Sequence, residues 1–156
     1  MLSIFAKSTP AQRFHELRKL ALFVDLSARE MKIVNSFMHE RNYLPGEVIF
    51  DEGDDGQAIY FVLDGEVLIC PQGQLDNPIA RLGRGNFFGE LALLDDAPRS
   101  AQARAAENCT LAVFFRGDFL GLMQSHALIA SKIALQLARH LGVRLRGMVH
   151  SGQALS

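Results

Sequence analysis

Two cysteines in 156 residues are too few for a disulfide framework. Cys70 and Cys109 both fall in apolar, strand-like runs, so they read as buried, inert thiols of a reducing compartment. No apolar run approaches the length of a membrane span. The opening "MLSIFAKSTPAQRFHE" has too short an apolar part for a signal peptide and lacks a cleavage pattern. A cytoplasmic location with no membrane partner is therefore expected. Net charge is only −1, which leaves no global reason to expect a nucleic acid as partner. Acidic residues are missing from Ala127 onward, where Lys132, Arg139, Arg144 and Arg146 stand. That basic character is too sparse for a DNA-binding surface and reads as a solvated helix face. Histidine is missing between Leu44 and Gln124, the five present being His15, His39, His126, His140 and His150. No internal repeat and no low-complexity segment is found.

Hydrophobic residues make up 49% of the chain and charged ones 21%, the balance of an ordinary globular protein. The length suits a single domain over residues 1–156, long enough to bury a proper core. Three zones are predicted. Residues 10–38 are helical: "AQRFHELRKLALF" sets Phe14, Leu17, Leu20 and Leu22 at helical spacings. Ser27 with Glu30 then forms a capping box opening "SAREMKIVNSFM", whose inward stripe is Met31, Ile33, Val34 and Phe37. Residues 39–115 hold short strands, "EVIF", "AIYFVL", "GEVLIC", "PIARL", "SAQARA" and "TLAVFF". The turns between them contain Gly46, Gly53, Gly56, Gly65, Gly73 and Gly83, all read as positions needing positive φ. Residues 117–150 are helical again, with a short helix from Asp118 and a long one after it. The long helix carries the stripe Ala130, Ile133, Ala134, Leu137, Ala138, Leu141, Leu145 and Met148. Half of that stripe is expected to meet a partner helix, giving a homodimer, and the tail "SGQALS" is expected to fray. The fold class is α+β, mainly β: an antiparallel jelly-roll β-barrel flanked by N-terminal helices and a long C-terminal helix.

One stretch in the strand zone breaks the alternation of a strand. "FFGELALLDDAPRSA" (87–101) reads as a glycine turn entering one or two turns of helix, with Arg99 in the return segment. A helix start offers free N–H groups and partial positive charge to an anion. Gly89 lets the backbone approach a ligand, and Arg99 supplies a planar, two-pronged donor. Glu90 suits a hydroxyl beside the anion, such as a ribose 2′-OH. The alternative is that Glu90 and Arg99 pair with each other and "LALL" is only core. A Walker loop is excluded by the absence of its lysine.

The same segment resembles the phosphate-binding cassette of the cyclic nucleotide-binding domain family, FGE-[LI]-A-L followed by PR-[AST]-A. It matches at Phe88, Gly89, Glu90, Leu91, Ala92, Leu93, Pro98, Arg99, Ser100 and Ala101. The likeness runs from about Phe14 to Arg146, since the N-terminal helices and "RGDFLGLMQSHALIASKIALQLARHLG" also resemble bacterial members related to the catabolite activator. It implies a cyclic mononucleotide ligand, cAMP in preference to cGMP. Glu90 and the Gly89 backbone would bind the ribose 2′-OH and Arg99 the cyclic phosphate. Backbone groups around Leu91, Ala92 and Ala101 would assist, with Ser100 touching phosphate or base. Leu63 and Ile79 occupy positions that line the base pocket in activator-like members. Those members reach adenine with a Thr-Ser pair on the long helix, where this chain has Arg144 and Leu145. They also continue into a helix-turn-helix domain, whereas this sequence stops at Ser156. The output expected is contact with an effector protein, driven by movement of the helices after Gly117. Two other functions compete. One is a degenerate scaffold or dimerisation module without ligand. The other is a cupin-like enzyme, which needs histidines and a carboxylate converging inside the barrel. The histidine gap speaks against that, so no catalysis and no metal cofactor are expected.

Overall fold

The computed structural model describes residues 9–71, 73, 74 and 76–151. The opening stretch up to residue 8 and the tail from 152 lie outside the described residues.

Helix α1 (Pro10–Arg18) starts where Thr9 caps it and Gln12 reaches back to the Thr9 N–H, a second capping box besides the one read from the sequence. After a 3-10 turn at Ala21–Phe23, Ser27 and Glu30 cap α2 (Ala28–Phe37) as predicted. Eight strands come next: β1 (His39–Tyr43), β2 (Val48–Phe50), β3 (Ala58–Asp64), β4 (Val67–Cys70), β5 (Ala80–Leu82), β6 (Phe87–Phe88), β7 (Gln102–Ala105) and β8 (Cys109–Phe115). They form two antiparallel four-stranded sheets, β1-β8-β3-β6 and β2-β7-β4-β5, with no strand in common. The jelly-roll fold is thus an open pair of sheets and not a closed barrel. Strands β1 and β6 escape the sequence reading: "HERNY" carries no apolar alternation, and β6 is two residues long.

Period-two alternation sorts the core into two layers. Along β3, Ile59, Phe61 and Leu63 face the helices with Ala112 and Phe114 of β8, against Leu17, Leu22, Phe23, Met31 and Val34. Tyr60 and Val62 face the other way, into the sandwich, with Val67, Phe88, Ala103 and Leu111. Helix α3 (Arg116–Ser125) buries Phe119 and Leu122 in the helix-side layer. Helix α4 (Ala127–His150) buries Ile129, Ala130, Ile133 and Leu137 there, with Ala134 and Leu141 half-buried. Beyond Leu141 every described residue of α4 except Gly142 is exposed. The predicted stripe therefore divides: Ala138, Leu145 and Met148 face solvent.

Lys132 of α4 donates to Glu30 of α2 at 2.8 Å, and this contact, with the Ser27 cap, holds the Glu30 carboxyl below the ordinary glutamate value. A depressed carboxylate contributes stability above its unfolded pKa of about 4.3 and loses it as pH falls through the lower folded value. Melting temperature should fall with acidification across that window, and less steeply in Glu30→Gln, as read by circular dichroism.

Two glycines differ from expectation. Gly56 and Gly83 do not have positive φ, whereas Gly85 and Gly89 do, at 89° and 75°. Gly56 is instead a matter of space: a Cβ there would stand 3.3 Å from Arg99 Nε.

Candidate functional site

Strand β6 ends at Phe88, and Gly89 at φ 75°, ψ 19° turns the chain into a 3-10 segment, Glu90–Leu93. The left-handed conformation is one that only glycine adopts cheaply. The predicted helical turn is present in this tighter form. The Ala92 N–H already closes onto the Gly89 carbonyl at 3.2 Å, so this expected anion donor is engaged within the turn. Glu90, Ala92 and Leu93 point inward, and Leu91 lies outward and exposed.

The return segment is held by the loop between β2 and β3. Arg99 N–H donates to the Asp54 carbonyl at 2.8 Å, Gly53 N–H donates to the Arg99 carbonyl at 2.8 Å, and Pro98 bridges to Asp55. The turn signal "EGDDG" thus fixes the backbone of the arginine. Its side chain runs back under the cassette and is only 9% exposed. Nη2 donates to the Ala58 carbonyl at 2.7 Å and Nη1 to the Gly89 carbonyl at 3.1 Å. One face of the guanidinium lies 4.0 Å from the Phe50 ring centroid and 5.9 Å from that of Tyr60. Phe50, Tyr60 and Phe88 form a ring cluster, with Tyr60 and Phe88 stacked at 5.2 Å.

This environment leaves the charge undercompensated. Among the described residues no ion pair joins Arg99 to a carboxylate, and its buried Nε–H has no acceptor. Burial pulls the guanidinium below its ordinary pKa, opposed in part by Tyr60, Asp54 and Glu90. Two of its five N–H groups are used on carbonyls, and the cation–π contact returns about 1 kcal/mol. A buried cation with spare donors is costly unless an anion completes it.

Glu90, 5% exposed, does not pair with Arg99. It is the acceptor of Arg144 Nη1 from α4, so the suggested Glu90–Arg99 pair is not formed. Arg144 itself is largely exposed, and His140, one turn earlier on α4, sits 4.5 Å from Phe87 just ahead of the cassette. The long helix therefore closes over the turn.

Of the other predicted residues, Ser100 is exposed, Ala101 half-buried, Ile79 68% exposed and Leu145 exposed one residue beyond Arg144. Leu63 is displaced by parity. It shares the helix-side face of β3 with Ile59 and Phe61 and lines an open cleft of about 270 Å³ with Gln12, Arg13 and Glu16. On β4 the sandwich-facing Ile69 stands cross-strand from both Ala103 and Ala80. Residues that sequence reasoning missed are Phe50, Tyr60, Gly56 and Arg116. Alternation in "VIF" and "AIYFVL" signals the two aromatics. Nothing local signals Arg116, whose partners lie up to 60 residues away. Among the described residues no group of three His, Cys, Asp or Glu is placed to hold a metal ion.

A buried arginine and a buried glutamate thus flank a left-handed glycine turn, and the stretch that holds them is similar to known proteins. The sequence profile of the cyclic nucleotide-binding domain matches residues 40–126, more than half of the chain. The chain belongs to the cyclic nucleotide-binding domain family. It is 40% identical over 122 residues to the cyclic AMP receptor protein of Thermus thermophilus, covering 77% of this chain and 56% of that protein. It is 32% identical to a cAMP-dependent protein kinase regulatory subunit of Pyricularia oryzae over 79% of this chain and 31% of that one. The chain thus spans about half or less of these relatives. Among solved structures, a cyclic nucleotide-binding domain from Methylobacillus flagellatus superposes with a TM-score of 0.78 at 25% identity, covering 94% and 85% of the two chains. The catabolite activator protein of Thermus thermophilus gives 0.69 at 39% identity, covering 84% and 63%. The segment Phe88–Ala101, which resembles the family's phosphate-binding cassette, lies within the matched residues, and no described helix is long and apolar enough to cross a membrane.

Proposed function

We propose that the chain is a cyclic mononucleotide sensor without catalytic activity of its own, working in the cytoplasm and taking cAMP in preference to cGMP. The unpartnered Nε–H on the buried Arg99 guanidinium carries this reading. A cyclic phosphate is a single negative charge shared by two exocyclic oxygens that accept a two-pronged donor. Backbone N–H groups of Leu91 and Ala101 flank it, with Ala92 contributing once its bond to Gly89 opens. Glu90 accepts the ribose 2′-OH beside the Gly89 backbone. The 40% identity to a protein named for cyclic AMP supports the choice of base. The base lies toward the open end of the sandwich, by Ile69 and Ala80, with Ser100, Ile79 and Leu145 at the rim.

Signalling follows from the Arg144–Glu90 pair. A sugar hydroxyl claiming Glu90 shares or displaces Arg144, so nucleotide and α4 are energetically coupled. The output is a protein contact of α4, in the first place with a second copy. Leu128, Leu135, Gly142 and Val149 fall at seven-residue intervals, and Ser131, Ala138 and Leu145 stand three residues after the first three of them. All but Gly142 are exposed. This is the a/d seam of a two-stranded coiled coil. Sedimentation should show a dimer that Leu135→Glu converts to monomer.

Calorimetric titration with cAMP and cGMP tests the sensor. Binding of cAMP at micromolar concentration and of cGMP more weakly is expected; heat from neither at millimolar ligand overturns it. The pair that closes Glu90 also favours a second reading, a ligand-free scaffold, and Arg144→Ala separates the two. With Arg144 open to solvent, the pair is worth about 1 kcal/mol, so a competing latch predicts roughly five-fold tighter nucleotide binding on its removal. Weaker binding would assign Arg144 a direct ligand contact, and silence would leave the scaffold.

A further inference from the structure

The far end of the cassette is held as well. Arg116, the first residue of α3, is 24% exposed and sends its Nη1 to the Asp95 carbonyl at 2.6 Å and toward the Ala92 and Gly56 carbonyls, each at 3.4 Å. Its Nη2 pairs with Asp96 at 2.7 Å, and its backbone N–H donates to the Gln57 carbonyl at 2.8 Å. One residue therefore joins the C-terminal end of the 3-10 turn, the loop that makes room for Arg99, and the start of the C-terminal helices.

The two ends of the turn are held unlike each other. At Glu90 the holder is Arg144, well exposed and attached by one ion pair. At Ala92–Asp96 the holder is Arg116, whose side chain donates to the Ala92 and Asp95 carbonyls and the Asp96 carboxylate there, and to the Gly56 carbonyl beside them, with a backbone bond to Gln57. Two of those acceptors, the Ala92 and Asp95 main-chain carbonyls, belong to the turn and its exit and change position when the turn changes shape. The next turns of α3 bury Phe119 and Leu122 in the helix-side core that α4 shares.

We propose that Arg116 is a positioning residue of the nucleotide site, transmitting a change in the cassette turn to α3 and α4 without touching the ligand. The proposal rests on the cyclic nucleotide reading of the site. A lysine cannot replace it fully, because a single ammonium cannot span the Asp96 carboxylate and the Asp95 carbonyl with the fixed fork of a guanidinium.

The test is calorimetry together with hydrogen exchange of amides 127–150 in the full chain, with and without saturating cAMP. In wild type, cAMP is expected to change α4 exchange. In Arg116→Ala, binding should persist within about ten-fold of wild type while the α4 response is largely lost, a split between affinity and response that general destabilisation does not produce. Arg116→Lys should restore part of the response. An Arg116→Ala chain with wild-type affinity and wild-type α4 response overturns the proposal. If that variant fails to fold, Asp96→Ala removes the Nη2 partner at an exposed position, and an unchanged response there overturns it equally. A wild-type chain that binds no nucleotide defeats the site reading and the coupling with it. A wild-type chain that binds and responds, beside variants that also respond, defeats the coupling alone.

Discussion

Replacing Arg99 by alanine should weaken nucleotide binding by two to three orders of magnitude while leaving the fold intact. Charge-assisted hydrogen bonds are worth about 1.5–3 kcal/mol each, and a forked contact supplies two, so a loss of about 3–4 kcal/mol is expected. Each 1.4 kcal/mol is a factor of ten. Stability should respond differently. The guanidinium is buried with its Nε–H unsatisfied and, among the described residues, no carboxylate in an ion pair with it, so its removal relieves a desolvation cost as it gives up two carbonyl contacts and the Phe50 face. Titration calorimetry and thermal melting on the same sample give both numbers. Arg99→Lys separates charge from shape, since a point charge that restored full affinity would show that the fork is not used. A large drop in melting temperature for Arg99→Ala, with binding retained, would make Arg99 a structural arginine.

The second large effect comes from adding one methyl group at two left-handed glycines. At Gly89 (φ 75°) a Cβ would stand 2.6 Å from Arg99 Nη1, the far end of a flexible side chain. At Gly65 (φ 94°) it would stand 2.4 Å from the Asn108 carbonyl oxygen and 2.9 Å from the Cys109 Cα, which are backbone atoms. The left-handed conformation costs each alanine about 1–2 kcal/mol. Beyond that the sites diverge. In Gly89→Ala the guanidinium moves aside, so nucleotide affinity should fall more than ten-fold with a melting shift of only a few degrees. In Gly65→Ala the β3–β4 and β7–β8 turns must separate, and destabilisation above about 3 kcal/mol is expected, read by denaturant titration. Equal effects on stability at the two positions would contradict the assignment of Gly89 to the site.

The fold was legible where periodicity and caps were strong. Ser27 and Glu30, the long apolar repeat after Gly117 and the apolar short strands lie where the pattern puts them. Polar β1 was not legible, because its partner β8 and not its own composition makes it a strand. The site was legible at the level of its motif and not of its partners. The sequence pointed to Gly89, Glu90 and Arg99, and the structure brings these three together. It could not tell that Glu90 meets Arg144, 54 residues on, because that contact depends on how a 24-residue helix is laid across the sheets. Leu63 failed by one step of strand parity, which moves a side chain from one core layer to the other.

Helix α4 last touches the core at Leu141; beyond it the helix is exposed and is tied to the glycine turn through Arg144 and Glu90. At 1.5 Å per residue, Arg144 lies about 4.5 Å from that fulcrum and Val149 about 12 Å. A displacement of about 1 Å at Arg144, were it to release Glu90, would thus become nearly 3 Å at the apolar tip. Under the proposed coupling, the breaking of a single contact would become a movement large enough to take side chains out of register with whatever they face.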